Sequence, residues 1–270
     1  MRIQLSLQPK RPFSLSLNYQ QYLSAVIYNL ISEASSEHGS WLHDRGFVLG
    51  RKHFKHFTFS RLMFPERPLI RDGRIFIDAP FSWLVSIHTE ATLLQLIIGL
   101  FERRAVTIGQ ANNEARIKGV EILPEPVISD KMKFICLSPV LVKKPVNVSR
   151  NGNEKLSAEY LMPGHPEAGF YLSKNLVSKY LSLHPEIKET DKSVRFMPDE
   201  EYIRRKEGKI SKLIAFKNGS DEETRMRAFE CPFMLEGDTE LIRIAYECGL
   251  GDNNAMGFGM IETVRNGSRA

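Results

Sequence analysis

The residues in this chain best placed to do chemistry are His43, Tyr28 and the cations that follow them. Arg45 to Arg61 contains Arg45, Arg51, Lys52, Lys55 and Arg61 with no acidic residue, and adds His53 and His56. A local concentration of one sign of charge attracts a polyanion, and a phosphate backbone is the commonest such partner. A solvated basic loop would carry the same residues. An imidazole titrates ordinarily near about pH 6.5, so His43 can give or take a proton near neutrality. An exposed loop histidine with no role would look identical in sequence. Tyr28 lies on a helical segment one residue off its apolar stripe, which leaves the phenol either packed on the helix flank or free to bond an anion's oxygen. The His43-Asp44 dipeptide has the form used by metal phosphohydrolases, but the further His and Asp ligands of that class have no counterparts here. No Asp/Glu cluster suits Mg²⁺ and no His/Cys spacing suits zinc, so neither a metal nor another cofactor is expected.

These residues must be held by regular elements, and the sequence indicates which. Ile3, Leu5 and Leu7 alternate along an opening strand, Arg2–Leu7. Tyr19, Tyr22, Leu23, Val26, Ile27, Leu30, Ile31 and Ala34 recur at three-and-four spacing, predicting a helix from Tyr19 with Asn18 as N-cap and Gln21 as its capping-box partner. Gly39 and Gly46 bracket an expected loop around His43. A strand follows over Phe57 and Phe59, another strand or bent strand over Arg74–Ile87, a helix over Glu90–Phe101, and strand character from Val106 to Ile122 broken at Gly109 and Asn112-Asn113. The order β-α-β-β-α-β is the ferredoxin-like plan. Pro124 and Pro126 mark the expected domain boundary.

The second half repeats the order. Strands are expected at Lys133–Val142, Lys209–Phe216, Thr224–Leu235 and Phe258–Val264, with helices at Ser173–Ser182 and Thr239–Cys248. Residues 143–169 and 185–205 carry no clear pattern. The predicted class is α+β, with two tandem ferredoxin-like (RRM-like) domains at 1–126 and 127–270. The length of 270 residues suits two domains, and 42% hydrophobic with 26% charged residues is an ordinary globular mixture. No apolar run approaches the roughly 18 residues a membrane span needs, and the N-terminus lacks a signal-peptide layout, so a soluble cytoplasmic protein is expected. Cys136, Cys231 and Cys248 stand singly, which argues against a disulfide framework. The charge is uneven: residues 1–120 hold 15 Lys/Arg against 9 Asp/Glu, and the remainder 22 against 23.

Between the last helix and last strand, Gly249, Gly251, Gly257 and Gly259 make a GxGxxxxxGxG loop. No Lys-Ser/Thr pair follows, so it is not a P-loop, and a dinucleotide fingerprint would run from strand to helix, the reverse of this order. Successive amide N–H groups in such a turn can form a nest for phosphate oxygens. Helix capping alone would account for Gly249 or Gly251, but four glycines in eleven residues exceed what capping needs.

With MRIQLSL, NYQQYLSAVIYNLI, WLHDRGF, FTFSRL, LSPVLV and GLGDNNAMGFGMIE in view, the chain resembles the CRISPR-associated repeat-processing endoribonucleases of the RAMP superfamily, nearly end to end. The resemblance implies two ferredoxin-like domains and metal-independent cleavage of precursor CRISPR RNA within its repeat. The 2′-hydroxyl attacks the adjacent phosphorus, leaving a 2′,3′-cyclic phosphate and a 5′-hydroxyl. It implies a catalytic group of His43, at the family's LH position, Tyr28, fifteen residues before it, and Lys52 as the cation for the phosphorane, with Arg45 or Arg51 as substitutes. His38 is an understudy for His43. RNA contacts are expected from Arg45, Arg51 and Lys55, and from Gly251, Gly257 and Gly259 through backbone amides. Phe57 and Phe59 are more in keeping with a core than with base stacking. The partners implied are the precursor repeat RNA and a CRISPR effector complex. The alternative is a non-catalytic RAMP-type subunit that binds RNA within such a complex.

Overall fold

Ile3, Leu5 and Leu7 put their side chains on one face of the first strand, and all three are buried in the computed structural model, which describes residues 1–150, 153–216 and 223–264. That strand, β1 (Arg2–Pro9), is followed by β2 (Phe13–Ser16), α1 (Gln20–Ala34), α2 (Ser36–Asp44), β3 (Phe47–Leu49), β4 (Lys52–Phe54) and β5 (Phe57–Phe59). Then come β6 (Ile70–Arg71), β7 (Arg74–Ile77), β8 (Phe81–Ile87), α3 (Glu90–Glu102), β9 (Ala105–Thr107) and β10 (Glu114–Leu123). Five of these strands form an antiparallel sheet in the order β5-β8-β1-β10-β9. Its register sets Leu5 opposite both Trp83 and Val120. The apolar stripes of α1 (Leu23, Val26, Ile27, Leu30, Ile31) and α3 (Leu93, Leu96, Leu100) join this core. Fully burying side chains of this size stabilises by about 1.5–3 kcal/mol each.

Local signals shift under tertiary packing. Asn18 is not the N-cap of α1; the cap position is Tyr19, with no side-chain cap bond. Tyr19 is buried and its hydroxyl accepts the Leu62 N–H at 3.2 Å, so packing rather than capping fixes where the helix starts. The bent strand expected over Arg74–Ile87 is two strands, β7 and β8, separated at Asp78–Pro80, where Pro80 has no N–H to extend a ladder.

The later elements are β11 (Lys131–Cys136), β12 (Lys143–Arg150), β13 (Asn153–Tyr160), α4 (Ala168–Leu183), β14 (Val194–Pro198) and α5 (Glu200–Arg205). They continue through β15 (Ser211–Phe216), β16 (Thr224–Phe229), β17 (Phe233–Gly237), α6 (Thr239–Cys248), a 3₁₀ turn at Asn254–Met256 and β18 (Ile261–Thr263). Four strands form a sheet in the order β14-β17-β11-β18. The middle pair differs from expectation. Of the expected sheet strands Lys209–Phe216 and Thr224–Leu235, only the end of the second, Phe233–Leu235, enters the sheet, as part of β17 beside β14, while β15 and β16 pair with each other as a hairpin. Val194 and Phe196 alternate inward against Phe233 and Leu235, a short apolar signal hidden in a charged stretch. The unassigned segment after Lys143 forms the β12–β13 hairpin.

The chain separates into two compact units. Residues 1–126, 247–249 and 254–257 make the first; residues 127–246, 250–253 and those from 258 onward make the second. The split expected at 126/127 therefore needs one amendment, the transfer of two short pieces of the glycine-rich loop region to the first unit. Ser24 donates its hydroxyl to the Ala255 carbonyl at 2.7 Å, and Gly257 lies against Phe59, which ties these pieces there. Reduced to its sheet strands and two main helices, the first unit reads β1-α1-β5-β8-α3-β10 and the second β11-α4-β14-β17-α6-β18. In both, the sheet order is second, third, first, fourth strand. Among the described residues no helix is long and apolar enough to cross a membrane.

Candidate active site

His43 stands in the last turn of a helix, not in the loop that flanking glycines suggested. Ser35 caps α2 by accepting the His38 N–H at 3.2 Å, and Glu37 in the first turn complements the helix dipole. The helix stops at Gly46, whose N–H donates to the Trp41 carbonyl at 2.8 Å and whose φ of +60° is costly for any residue with a Cβ. A Cβ there would also overlap the Phe54 carbonyl oxygen. The chain thus turns at once into the β3–β4 hairpin, which pairs Phe47 with Phe54, Val48 with His53 and Leu49 with Lys52 around Gly50-Arg51. His53 donates Nδ1–H to the Arg45 carbonyl at 2.9 Å, holding the hairpin to the end of the helix.

The structure brings Tyr28 and His43 together. Their ring centroids are 5.1 Å apart and nearly perpendicular, and the Tyr28 ring meets buried Phe57 in the same way at 5.5 Å. Burial pushes the Tyr28 phenol well above its ordinary pKa, because a phenolate there would lose its hydration. Tyr28 therefore remains a neutral donor near neutral pH. His43 is open, with 67% of its side chain exposed, and its Nδ1–H donates to Asp44 Oδ1 at 2.8 Å. That contact directs the proton of a neutral imidazole to Nδ1 and leaves the Nε2 lone pair for a substrate proton.

The cation joined to His43 is Lys55. Its ammonium donates to the His43 carbonyl at 2.6 Å. Burial pulls the Lys55 pKa below the ordinary lysine value, and the Asp44 carboxylate partly offsets that. Lys52, the expected catalytic cation, is exposed on β4; Arg51 is exposed at the hairpin tip and Arg45 at the helix end. These three share the hairpin region with His43.

Other candidates fall away. His38 Nε2 is 3.0 Å from Thr92 Oγ1, and burial lowers its pKa, so it is an internal contact rather than a second His43. His56 is buried at φ +50°, its ring 4.6 Å from that of Phe47 and stacked on that of Phe54 at 5.7 Å. Phe57 and Phe59 are buried and unavailable to bases. His88 Nδ1 lies 2.6 Å from Glu247 Oε2, a pair 159 residues apart that no local pattern announces.

The expectation for the glycine-rich loop needs correction at Gly257 and Gly259. Gly251, Gly257 and Gly259 are all buried. The Gly257 N–H donates to the Asn254 carbonyl at 2.9 Å and the Gly259 N–H to the Pro139 carbonyl at 2.7 Å, so neither amide is directed at a phosphate. The glycines serve close approach instead: a Cβ on Gly257 would lie 2.6 Å from the Phe59 ring, and one on Gly251 would overlap the Leu141 carbonyl oxygen. Asp44 and Lys55 are what the sequence reading undervalued. In the sequence the His43-Asp44 dipeptide has the form of a metal motif and Lys55 that of a phosphate contact. Among the described residues no group of three or more His, Cys, Asp or Glu side chains is arranged to hold a metal ion.

The fold is of the kind found in RAMP proteins. A solved structure titled "An RAMP protein binding different RNA substrates" superposes with a TM-score of 0.76 at 20% identity, covering 98% of this chain and 100% of that one. At that identity the likeness concerns the fold alone. The chain belongs to the Cas6 family of CRISPR-associated proteins: residues 14–116 match "CRISPR-associated protein Cas6, N-terminal" and residues 123–263 match "CRISPR associated protein Cas6, C-terminal". A relative from Methanocaldococcus jannaschii named "CRISPR-associated endoribonuclease Cas6 1" is 29% identical over 266 residues, spanning 98% of this chain and 94% of its own. A solved structure titled "CRISPR associated protein Cas6" has a TM-score of 0.73 at 28% identity, covering 98% and 99% of the two chains.

Proposed function

We propose that this protein is a metal-independent endoribonuclease that cuts precursor CRISPR RNA within its repeat. The observation that carries the reading is the Tyr28–His43 contact beside Lys55 and the cationic hairpin. Membership of the Cas6 family and a relative named as an endoribonuclease support the substrate class. We read both units as ferredoxin-like domains, near 1–126 and 127–270, because each has the strand order of that plan.

In the proposed reaction the 2′-oxygen bonds to the adjacent phosphorus and the bond to the 5′-oxygen breaks. The 2′-proton leaves to a base, and the departing 5′-oxygen takes a proton. The products are a 2′,3′-cyclic phosphate and a 5′-hydroxyl. His43, through Nε2, carries one of these transfers, a role worth about 10²–10⁴ in rate. Tyr28, held neutral, donates a hydrogen bond to a phosphate oxygen. Lys55 and Lys52, with Arg45 and Arg51, offset the phosphorane charge and hold the flanking phosphates. Gly251, Gly257 and Gly259 shape the loop through which the last strand is reached.

The reading places the work in the cytoplasm and admits a CRISPR effector complex as a second partner. The rival, a non-cutting RNA-binding subunit, needs cations but no paired phenol and imidazole. The experiment is cleavage of a CRISPR repeat transcript in EDTA with the product ends identified. A cyclic phosphate and a 5′-hydroxyl are expected; dependence on a divalent ion, or 3′-hydroxyl ends, would overturn the mechanism.

A further inference from the structure

The first unit has a second concentration of positive charge, away from the Tyr28–His43 pair. A groove of about 690 Å³ runs along β9, β10 and the end of α3, lined by Lys10, Arg103, Arg104, Arg116 and Lys118, with no acidic side chain in its wall. Two of these are neutralised: Lys10 pairs with Glu114 at 2.5 Å, and Arg103 with Glu33. Arg104, Arg116 and Lys118 are exposed, and no ion pair is found for them among the described residues. Phe101, on the same wall, is 77% exposed, which leaves an aromatic ring open beside these cations. The dipole at the end of α3 explains a cation or two at Arg103 and Arg104. It does not explain Arg116 and Lys118, which come from β10 and are both exposed, Lys118 at the bulge where Leu7 stands opposite Ile117 and Ser6 opposite Gly119.

The geometry points to this groove as a second RNA contact, one that holds a single-stranded stretch of the transcript outside the scissile nucleotides. This inference rests on the RNA substrate proposed above. Guanidinium groups grip phosphate oxygens, and an exposed aromatic ring takes a base on its face whatever the sequence. Both are present here. An anionic membrane would use the cations too, but it is gripped by an apolar face of several side chains, and Phe101 is the only exposed large apolar side chain in this wall. In the sheet order the groove lies three to four strands from β5, against whose Phe57 the Tyr28 ring packs. At about 4.8 Å per strand that is about 15–20 Å, too far for the nucleotide being cut and within reach of the same strand.

The test uses the full chain and a repeat RNA with its native flanks, made 2′-deoxy at the scissile nucleotide so that binding is read without cutting. The double substitution Arg104→Ala/Arg116→Ala is expected to weaken binding by about five- to thirtyfold and to flatten the dependence of log affinity on log salt by about 1.4. Phe101→Ala should weaken it at least about fivefold with the salt slope intact. Arg104→Lys/Arg116→Lys should restore the slope. Wild-type affinity and slope in the double alanine variant would overturn the inference. Equal losses in the lysine and alanine variants would do so too, since charge would then not be the cause. So would a defect seen only on phosphatidylserine vesicles, which would mark a membrane contact. A wild type that binds this RNA yet leaves the all-ribose version intact sinks the nuclease reading alone, and one that binds neither sinks both.

Discussion

Lys55 of the first unit and Lys179 of the second each hold a backbone carbonyl, that of His43 at 2.6 Å and that of Gly251 at 2.9 Å. Their surroundings differ. Lys179 is 2% exposed, inside a set in which Asp252 accepts the Lys143 N–H at 2.9 Å and an Asn175 amide N–H at 3.0 Å, while the Lys143 ammonium reaches Asn253 Oδ1 at 2.8 Å. Burial pulls the Lys143 pKa down and Asp252 offsets it. Every one of these charges is committed to the shape of the glycine-rich segment. In the first unit, Arg45, Arg51, Lys52 and His43 face solvent around a half-buried Tyr28 and Lys55. The same strand order thus carries two uses of polar residues. One unit spends them on a backbone turn and the other sets them at its surface, where the proposed function would use them, so that function resides in a site rather than in a fold.

The sharpest way to break this contrast is through the substrate of the first unit. A 2′-deoxy scissile nucleotide should abolish cleavage while binding stays within about twofold, because only the nucleophile is missing; residual cutting, read on a gel, would remove the proposed chemistry. The next effect belongs to the second unit. Gly251→Ala, at φ +75° against the Leu141 carbonyl, should cost about 2–4 kcal/mol in denaturant unfolding. Gly50→Ala in the hairpin turn, at φ +57° with open space around it, should cost only about 1–2 kcal/mol.

The two lysines separate the units directly. Lys179→Met should lower stability by about 1–3 kcal/mol, since the Gly251 carbonyl loses its donor, and should leave the salt dependence of RNA binding unchanged. Lys55→Met should do the reverse, with stability within about 0.5 kcal/mol and the salt slope flatter by about 0.7. The smallest effect concerns Tyr28. Its folded-state pKa is raised above the ordinary 10.0, so beyond pH 10 the unfolded chain releases a proton that the folded chain keeps. Stability should therefore fall as pH rises through that window, and more steeply for wild type than for Tyr28→Phe. Parallel alkaline curves would show that the phenol is not buried as described.

Legibility in the sequence followed the distance over which a signal acts. The helices α1 and α3 were plain because their apolar stripes repeat every three or four residues, and the cationic hairpin because its charges are consecutive. The pairing of Tyr28 with His43 was accessible through the family's motif, since helix and loop geometry alone leave both residues ambiguous. The β14–β17 pairing was obscured, because five residues of alternation in a charged segment carry less weight than the longer runs of β15 and β16, which fold instead as a separate hairpin. The fate of the loop amides could not be read at all. Whether a glycine N–H faces a phosphate or the Pro139 carbonyl depends on a partner 120 residues away in the chain. Asp44 is in plain view, but a His-Asp dipeptide reads the same whether its carboxylate holds a metal or, as here, orients the neighbouring ring.

The central claim is that His43 moves a proton in the cut and is dispensable for holding the RNA. Single-turnover cleavage of repeat RNA by His43→Ala, measured beside its dissociation constant, tests this most directly. A rate lower by about 10²–10⁴ with affinity within about twofold is the predicted result. A wild-type rate, or a loss of rate matched by an equal loss of affinity, would contradict it.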